Sequence, residues 1–181
     1  MVYIILKPGF EEIEAISIGD ILRRGEVECR YVSDEALPVR GAHGICVTAD
    51  MSIDDLHAGA ADMVVIPGGM GGVTGIEGCV KTLNAIREAA LAGAALGAIC
   101  AGPRVFSKLD LLRGRRLTCY PGMEAQMYGA AADTSRSTVT DGNMITGRAP
   151  GASIDFGLAV LEYLAGREKA EEIRGGLVYG F

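Results

Sequence analysis

The sequence predicts one doubly wound α/β domain over residues 1–181, with a mostly parallel sheet and helices on both faces. Short apolar runs rich in β-branched residues alternate with segments whose apolar residues recur at helical spacing. Apolar runs such as Asp62–Ile66 end in glycine-rich turns, as buried parallel strands do. No linker, low-complexity segment or internal repeat divides the chain, so a single domain is expected.

The first half of the chain begins with a strand and an amphipathic helix. On this helix Glu14 shares a face with Ile18 and Leu22, so we expect its side chain to point toward the core. Gly25 is a suitable residue to end the helix. In chain order the pattern predicts a strand at 2–6, a helix at about 11–24, a strand at 27–32, a small hairpin off the main sheet at 38–49 and a strand at 62–66.

The second half repeats the alternation of strands and helices. Pro103 is suited to the first turn of a helix, and Gly166 to the end of another. An apolar strip, Leu177–Tyr179, closes the chain. The predicted elements are a helix at 77–92, a strand at 94–99, a helix from 103, strands near 115–119, 137–140 and 143–147, a helix at 152–164 and a short helix from 168.

Composition and charge exclude several classes of function. The formal charge of −6 and the absence of a basic cluster argue against nucleic acid as a direct partner. The longest uncharged stretch, residues 89–103, contains three glycines and falls short of a membrane span. The N-terminus leads straight into a strand, so we expect no signal peptide and a cytoplasmic location. Five cysteines without CxxC spacing and two histidines indicate free thiols in a reducing compartment and no zinc site.

Cys100 is the first candidate for chemistry. It directly follows a predicted strand and precedes a predicted helix, where unpaired backbone N–H groups and the helix dipole favour a thiolate. Small neighbours on both sides, including Gly97 and Gly102, are what a sharp strand-to-helix turn requires. The alternative is that Cys100 is a small buried apolar residue, as most free cysteines are.

Glu14 is the predicted partner of Cys100. The first strand leads to Glu14 and a later parallel strand leads to Cys100, so both are expected at the carboxyl end of the sheet, where such folds bind ligands. If they meet, a protonated Glu14 can donate a hydrogen bond to the thiolate, its own pKa raised by burial and by the adjacent charge. The alternative is a glutamate that caps the start of its own helix.

A glycine-rich loop, Pro67–Gly72, follows another buried strand. Its amides, those of Gly68 and Gly69 in particular, are expected to form an oxyanion site together with the amide of Ala101. The loop lacks the glycine spacing of dinucleotide-binding and phosphate-binding loops, so no nucleotide cofactor is predicted. The alternative is an ordinary flexible turn.

Four ordered segments resemble the ThiJ/PfpI superfamily, and more closely the branch of the parkinsonism-associated protein DJ-one and its bacterial relatives. The match spans nearly the whole chain. The segments are Gly9–Glu14, Ile66–Gly69, Ala98–Pro103 and Thr146–Ser153.

The resemblance implies a flavodoxin-like sandwich of the class I glutamine amidotransferase type, usually a homodimer, with no cofactor or metal. It implies that Cys100 is a nucleophile or an oxidation-sensitive thiol, that Glu14 is its protonated partner, and that the amides of Gly69 and Ala101 line the pocket. Activities in the family include cofactor-free conversion of methylglyoxal or glyoxal to hydroxy acids, repair of early glycation adducts, and redox-linked protection.

The sequence departs from the family pattern at Tyr120. Family members often carry a histidine there near the nucleophile, and its absence puts a Cys-His dyad in doubt, leaving Glu14, Tyr120 or water to transfer protons. Ala101 stands where the protease-like branch has a histidine, which argues against that branch. His43 and His57 lie in polar, loop-like contexts and are expected at the surface.

Three hypotheses follow. The first is a cysteine-thiolate enzyme acting on a small carbonyl substrate, either a dicarbonyl or a glycated adduct, without a cofactor. The second is a redox sensor or stress chaperone in which Cys100 is oxidised to a sulfinate. The third is an inert scaffold with a relic site. The remaining cysteines are predicted to be packing residues, and the apolar strip at the C-terminus supports a homodimer.

Overall fold

The computed structural model describes residues 1–34 and 38–180. The strands in this part of the chain are β1 (Val2–Ile5), β2 (Cys29–Ser33), β3 (Val39–Arg40), β4 (Cys46–Val47), β5 (Met51–Ser52), β6 (Met63–Ile66), β7 (Ala95–Ile99), β8 (Arg116–Leu117), β9 (Ala131–Ala132), β10 (Thr138–Asp141) and β11 (Met144–Gly147). The α-helices are α1 (Glu12–Arg24), α2 (Met70–Gly78), α3 (Val80–Leu91), α4 (Pro103–Lys108), α5 (Ser153–Ala165) and α6 (Arg167–Gly176).

The main sheet of the described residues has seven strands in the order β5-β2-β1-β6-β7-β11-β10. All neighbouring pairs are parallel except β10 with β11, which is an antiparallel edge. From β1 the chain first adds β2 and β5 on one side and then β6, β7 and β11 on the other. This reversal creates a crevice outside the carboxyl ends of β1 and β6, the position at which open α/β sheets bind ligands.

The sheet carries the core, and helices pack around it. Strands β1, β6, β7 and β11 are buried along their whole length, which explains why they are apolar throughout and do not alternate. Helix α1 packs against α5, where Gly157 leaves room for Ile21. Phe156, also on α5, is fully buried next to Gly147 of β11. The predicted α/β flavodoxin-like fold is therefore confirmed.

Two predictions of local structure are corrected. The helix predicted at 77–92 is two helices, α2 and α3, which meet at Cys79, and α2 already begins at Met70 inside the predicted glycine loop. Strand β8 is shorter than predicted and pairs with β9 in a small separate sheet. The predicted hairpin off the main sheet is present as β3 and β4. Among the described residues, no helix has both the length and the apolar character needed to cross a bilayer.

Candidate active site

Cys100 occupies a strained turn between β7 and α4. Its φ angle is 63°, in the left-handed region that residues other than glycine rarely adopt. The N–H of Cys100 donates to Gly147 O at 2.9 Å, and the N–H of Gly102 donates to Ile99 O at 2.8 Å, so backbone bonds hold the turn. A side chain at Gly102 would collide with the carbonyl of Ile66, which is the physical reason for the small residues predicted at this turn.

Glu14 is completely buried on the inner face of α1 and is aimed at this turn. Its Oε2 accepts a hydrogen bond from the N–H of Gly68 at 2.6 Å, and the Cys100 thiol is near enough to the carboxyl to lower its pKa. A Cβ built on Gly68 would lie 2.6 Å from Glu14 Oε2 and 3.0 Å from Cys100 Sγ, which places the acid and the sulfur on either side of that glycine. The structure therefore brings the two predicted residues together.

The surroundings of Glu14 favour its protonated form. Burial raises the pKa of this carboxyl to about 7, and the nearby charge of Glu11 adds to the rise, whereas the hydrogen bonds from Gly68 and Cys100 act in the opposite direction. No other nitrogen or oxygen donor among the described residues reaches Glu14 Oε1. A carboxyl of this kind exchanges its proton close to neutral pH, as a general acid or base must.

Burial raises the pKa of the Cys100 thiol to about 12, and the charge and hydrogen bond of Glu14 add to the rise. The N–H groups of Ala101 and Gly69 lower it, as the turn predicts, but they do not outweigh burial and the carboxylate. The expectation that the turn keeps Cys100 anionic is therefore not met while Glu14 is charged. Protonation of Glu14 removes the repulsion between its carboxylate and a Cys100 thiolate. The thiolate is therefore favoured when the thiol proton has been transferred to Glu14.

The predicted pocket residues take different places. The N–H groups of Gly69 and Ala101 are near enough to the sulfur to lower the pKa of the Cys100 thiol, whereas the N–H of Gly68 donates to Glu14 and is not free to serve as an oxyanion donor. Tyr120 contacts Cys100 through its backbone, since its N–H donates to Cys100 O at 2.9 Å. Its side chain is 47% exposed. Two backbone N–H groups thus lie near the sulfur, and a third donates to the acid.

The model of the DJ-1/PfpI family matches residues 1–163 of the chain. The chain belongs to this family. A relative from Drosophila melanogaster, protein dj-1beta, is 33% identical over 98% of this chain and 96% of its own length. The crystal structure of Drosophila DJ-1beta superposes with a TM-score of 0.90 at 34% identity, covering 99% of this chain and 98% of that one.

Two further members of the DJ-1/PfpI family bear on function. A protein of Caenorhabditis elegans named glutathione-independent glyoxalase DJR-1.2 is 31% identical over 90% of this chain and 87% of its own. The structure of Toxoplasma gondii DJ-1 in an oxidized form has a TM-score of 0.92 at 30% identity, with 99% of this chain and 98% of that one covered. The predicted resemblance is confirmed.

Sequence reasoning missed the role of Glu12 in this DJ-1/PfpI protein. Glu12 lies in the first turn of α1, where the helix dipole favours acidic residues, yet it is buried and its Oε1 accepts the N–H groups of His43 at 2.7 Å and Ile45 at 3.3 Å. His43 Nδ1 lies 2.9 Å from Glu12 Oε2. His43 is exposed, as predicted, but it belongs to a loop that Glu12 fastens to the start of α1, next to Glu14.

Glu11, Glu12 and His43 also form a group of potential metal ligands among the described residues, with ligand atoms within 4.8 Å of one another. The Glu12 oxygens already accept two backbone N–H groups and the imidazole. The group is therefore explained as a structural contact between the hairpin and α1.

Proposed function

We propose that this protein is a cofactor-independent enzyme in which Cys100 attacks the aldehyde of a small dicarbonyl or the carbonyl carbon of a glycated adduct. The observation that carries the proposal is the Cys100 sulfur beside a fully buried Glu14 whose pKa lies near neutrality, with the N–H groups of Gly69 and Ala101 on the sulfur. The name of the Caenorhabditis elegans relative, a glutathione-independent glyoxalase, supports the same chemistry.

The proposed reaction needs one proton carrier and one nucleophile. Glu14 accepts the thiol proton while Sγ bonds to the aldehyde carbon, and it returns this proton to the aldehyde oxygen to give a hemithioacetal. Glu14 then moves the proton from that carbon to the neighbouring carbonyl carbon, while the hydroxyl proton passes to the neighbouring carbonyl oxygen, which leaves a thioester of the hydroxy acid. Water cleaves the thioester, releases the hydroxy acid and restores the thiol, so dicarbonyl and water are the reactants that are consumed.

The test is the rate of methylglyoxal loss and of lactate formation by purified protein. Cys100→Ala is expected to lower the rate by at least about 10³-fold because the nucleophile is gone. Cys79→Ser is the matched control, since it alters a thiol outside the site and is expected to keep the parental rate. A Cys100→Ala protein that consumes methylglyoxal at the parental rate would remove the proposal.

A second candidate function is redox sensing, in which Cys100 is oxidised to a sulfinate. The N–H groups of Gly69 and Ala101 at the sulfur favour it, since they are suited to the oxygens of a sulfinate. The related Toxoplasma gondii structure is named as an oxidized form. Peroxide treatment followed by peptide mass analysis should then add two oxygens selectively at Cys100, and equal oxidation of all five cysteines would count against sensing.

We also propose that two copies of the chain associate through α1 and the β3–β4 hairpin. Ile13 and Ile16 on α1 are 57% and 41% exposed, and Ile16 shares a groove with Cys46 and Val47 of the hairpin. Asp20 and Arg23 line the same groove, so the surface carries charges of both signs beside its apolar residues. Light scattering should give twice the mass of the chain, and Ile16→Lys should shift it to the single-chain mass. A single-chain mass for the unaltered protein would contradict the dimer.

A reducing compartment such as the cytoplasm is the proposed setting. All five cysteines are free thiols, and Cys46 is exposed. Cell fractionation that recovered the protein with oxidised, disulfide-linked Cys46 would speak against this location.

A further inference from the structure

A second polar cluster lies at the ends of β1 and β2 and contains four residues, Lys7, Asp34, Cys79 and Thr82. The carboxylate of Asp34 accepts from Cys79 Sγ at 2.7 Å and from Thr82 Oγ1 at 3.0 Å on one oxygen. Lys7 Nζ lies 2.7 Å from its other oxygen. The side chains of Lys7 and Asp34 are only 8% and 6% exposed, so this is an interior site that joins β1, β2 and α3.

The cluster places a thiol and an amine on the same carboxylate. Burial alone would raise the pKa of Asp34, but the bonds from Cys79, Lys7 and Thr82 hold it below its usual value, so the carboxylate is charged at neutral pH and can accept a proton.

Access to the two reactive atoms is unequal. Cys79 is half-buried, so a small oxidant can reach its sulfur from solvent, whereas Lys7 Nζ is enclosed. The ammonium makes the cluster unsuitable for a metal cation. The nitrogen of Lys7, inside the protein, would therefore react with an oxidised Cys79 before most thiols from solution.

We propose that oxidation of Cys79 by a peroxide leads to a covalent sulfur–nitrogen crosslink between Cys79 and Lys7, formed on the Asp34 carboxylate. This modification is separate from the chemistry of Cys100. The crosslink adds a covalent bond between the end of β1 and the start of α3, which are connected in this cluster through their contacts with Asp34.

The reaction has two steps. Sγ attacks one oxygen of hydrogen peroxide, the O–O bond breaks, and the products are a sulfenic acid and water, with the thiol proton passing through Asp34. The sulfur has been oxidised by two electrons and the peroxide reduced. The ammonium of Lys7 then gives a proton to Asp34 or solvent, its nitrogen attacks the sulfenic sulfur, and hydroxide leaves as a second water. Net loss from the protein is two hydrogens, and a dithiol reductant reverses the bond.

The crosslink acts on the turn that leads to the candidate active site. Lys7 O accepts the N–H of Phe10 at 3.0 Å and so closes a turn. Glu11 directly follows this turn, and its N–H donates to Gly68 O at 3.0 Å. Fixing Lys7 therefore restrains the turn between β1 and the helix that carries Glu14.

The experiment uses the full chain with Cys100→Ser, which removes the other candidate thiol from the readout. After brief treatment with hydrogen peroxide, free thiols are alkylated and the protein is digested with trypsin without reductant. Trypsin does not cleave between Lys7 and Pro8, so Lys7 lies in the peptide 1–23 and Cys79 in the peptide 41–81. The expected product is these two peptides joined, two hydrogens lighter than their sum, and separated again by dithiothreitol.

Lys7→Arg is the decisive variant because it keeps a cation next to Asp34 but offers no amine of comparable reactivity. The crosslink should vanish, and a sulfenic acid at Cys79 should become trappable by dimedone. Lys81→Arg, an exposed lysine on the Cys79 peptide, should leave the crosslink unchanged. The proposal is overturned if the joined peptides persist in Lys7→Arg, if fragment ions place the bond at Cys46, or if Cys79 is oxidised without any crosslink in the parent.

Discussion

Two thiol–carboxylate pairs lie at the carboxyl edge of the same sheet, and their protons are held differently. Glu14 accepts a hydrogen bond from a neutral donor, the N–H of Gly68, lies near the thiol of Cys100, and has its pKa raised to about 7 by burial first of all. Asp34 is paired with the ammonium of Lys7, and its pKa is lowered although burial acts against this. At Glu14 burial outweighs the hydrogen-bond donors, whereas at Asp34 the combined donors, Cys79 first and then Lys7 and Thr82, outweigh burial and keep the carboxyl ionised near neutral pH.

This difference assigns different chemistry to the two pairs. Glu14 can take and return a proton during a reaction, so its thiol is suited to repeated turnover. Asp34 is ionised at neutral pH and holds an amine beside its thiol, so that thiol is suited to a single modification. The two pairs should therefore respond differently to substitution and to pH.

The largest expected effect is on the rate of dicarbonyl conversion. Glu14→Gln keeps an acceptor for the Gly68 N–H but cannot exchange a proton, and should lower the rate by about 10²–10⁴-fold. Asp34→Asn, measured at a temperature at which it is folded, should keep the parental rate. Equal losses in the two variants would mean that the pairs are not functionally distinct.

The second prediction concerns the free energy of unfolding. Asp34→Asn removes the carboxylate charge 2.7 Å from the buried ammonium of Lys7, which should cost about 3–5 kcal/mol in urea denaturation. Glu172→Gln, which breaks the exposed pair with Lys169, should cost at most about 1 kcal/mol. If Asp34→Asn lowers the free energy of unfolding no more than the surface control does, the ion pair of Lys7 with Asp34 does not stabilise the fold and the proposed difference between the two pairs is wrong.

How far the sequence predicts these pairs depends on the range of the contacts. The burial of Glu14 follows from helical spacing within α1, and the turn at Cys100 follows from small residues next to it, so both are local signals. The Asp34 pair joins residues 7, 34 and 79, which share no local pattern, and Cys79 was accordingly predicted to be a packing residue. Only the folded sheet brings these three side chains together.

The early start of α2 was also beyond sequence reasoning. The helix contains four glycines, a composition with low helix propensity, so propensity predicts a loop. Its first turn is nevertheless packed closely against Gly9, where a Cβ would lie 2.9 Å from Gly71 Cα. Tertiary contact between two backbones stabilises the helix here, and the same closeness brings the N–H of Gly69 to the Cys100 sulfur.

The third prediction is a dependence of stability on pH that belongs to Glu14 alone. Its pKa rises from 4.5 to about 7 on folding, so between these values the folded state binds more protons and stability falls as pH rises. The loss should approach about 3 kcal/mol. Asp34, whose pKa is lowered, adds stability above its unfolded value of 3.8 and loses it only at lower pH, outside this window.

The measurement is urea denaturation of the parent and of Glu14→Gln across that pH range. The pKa of His43 is also raised, by its hydrogen bond to Glu12 and then by the charges of Glu11 and Glu12, so the parent curve alone contains more than one group. The difference between the two proteins isolates Glu14. Parallel curves would show that Glu14 titrates as it does in the unfolded chain.

The smallest expected effect tests the spacing between the acid and the sulfur. At the second pair the sulfur and the carboxylate are in direct contact, whereas at the first a glycine lies against both groups. A Cβ on Gly68 would lie 2.6 Å from Glu14 Oε2 and 2.7 Å from Cys100 Cβ, and because both groups are buried, neither can move aside freely. Gly68→Ala should therefore cost about 1–3 kcal/mol of stability and slow alkylation of Cys100 relative to Cys79.

Gly78→Ala, where no atom lies within 4 Å of the added methyl group, is the matched control and should change neither quantity appreciably. Unchanged stability and alkylation in Gly68→Ala would mean that the acid and the sulfur are not held against this glycine, and the proton exchange inferred for the first pair would lose its geometric basis.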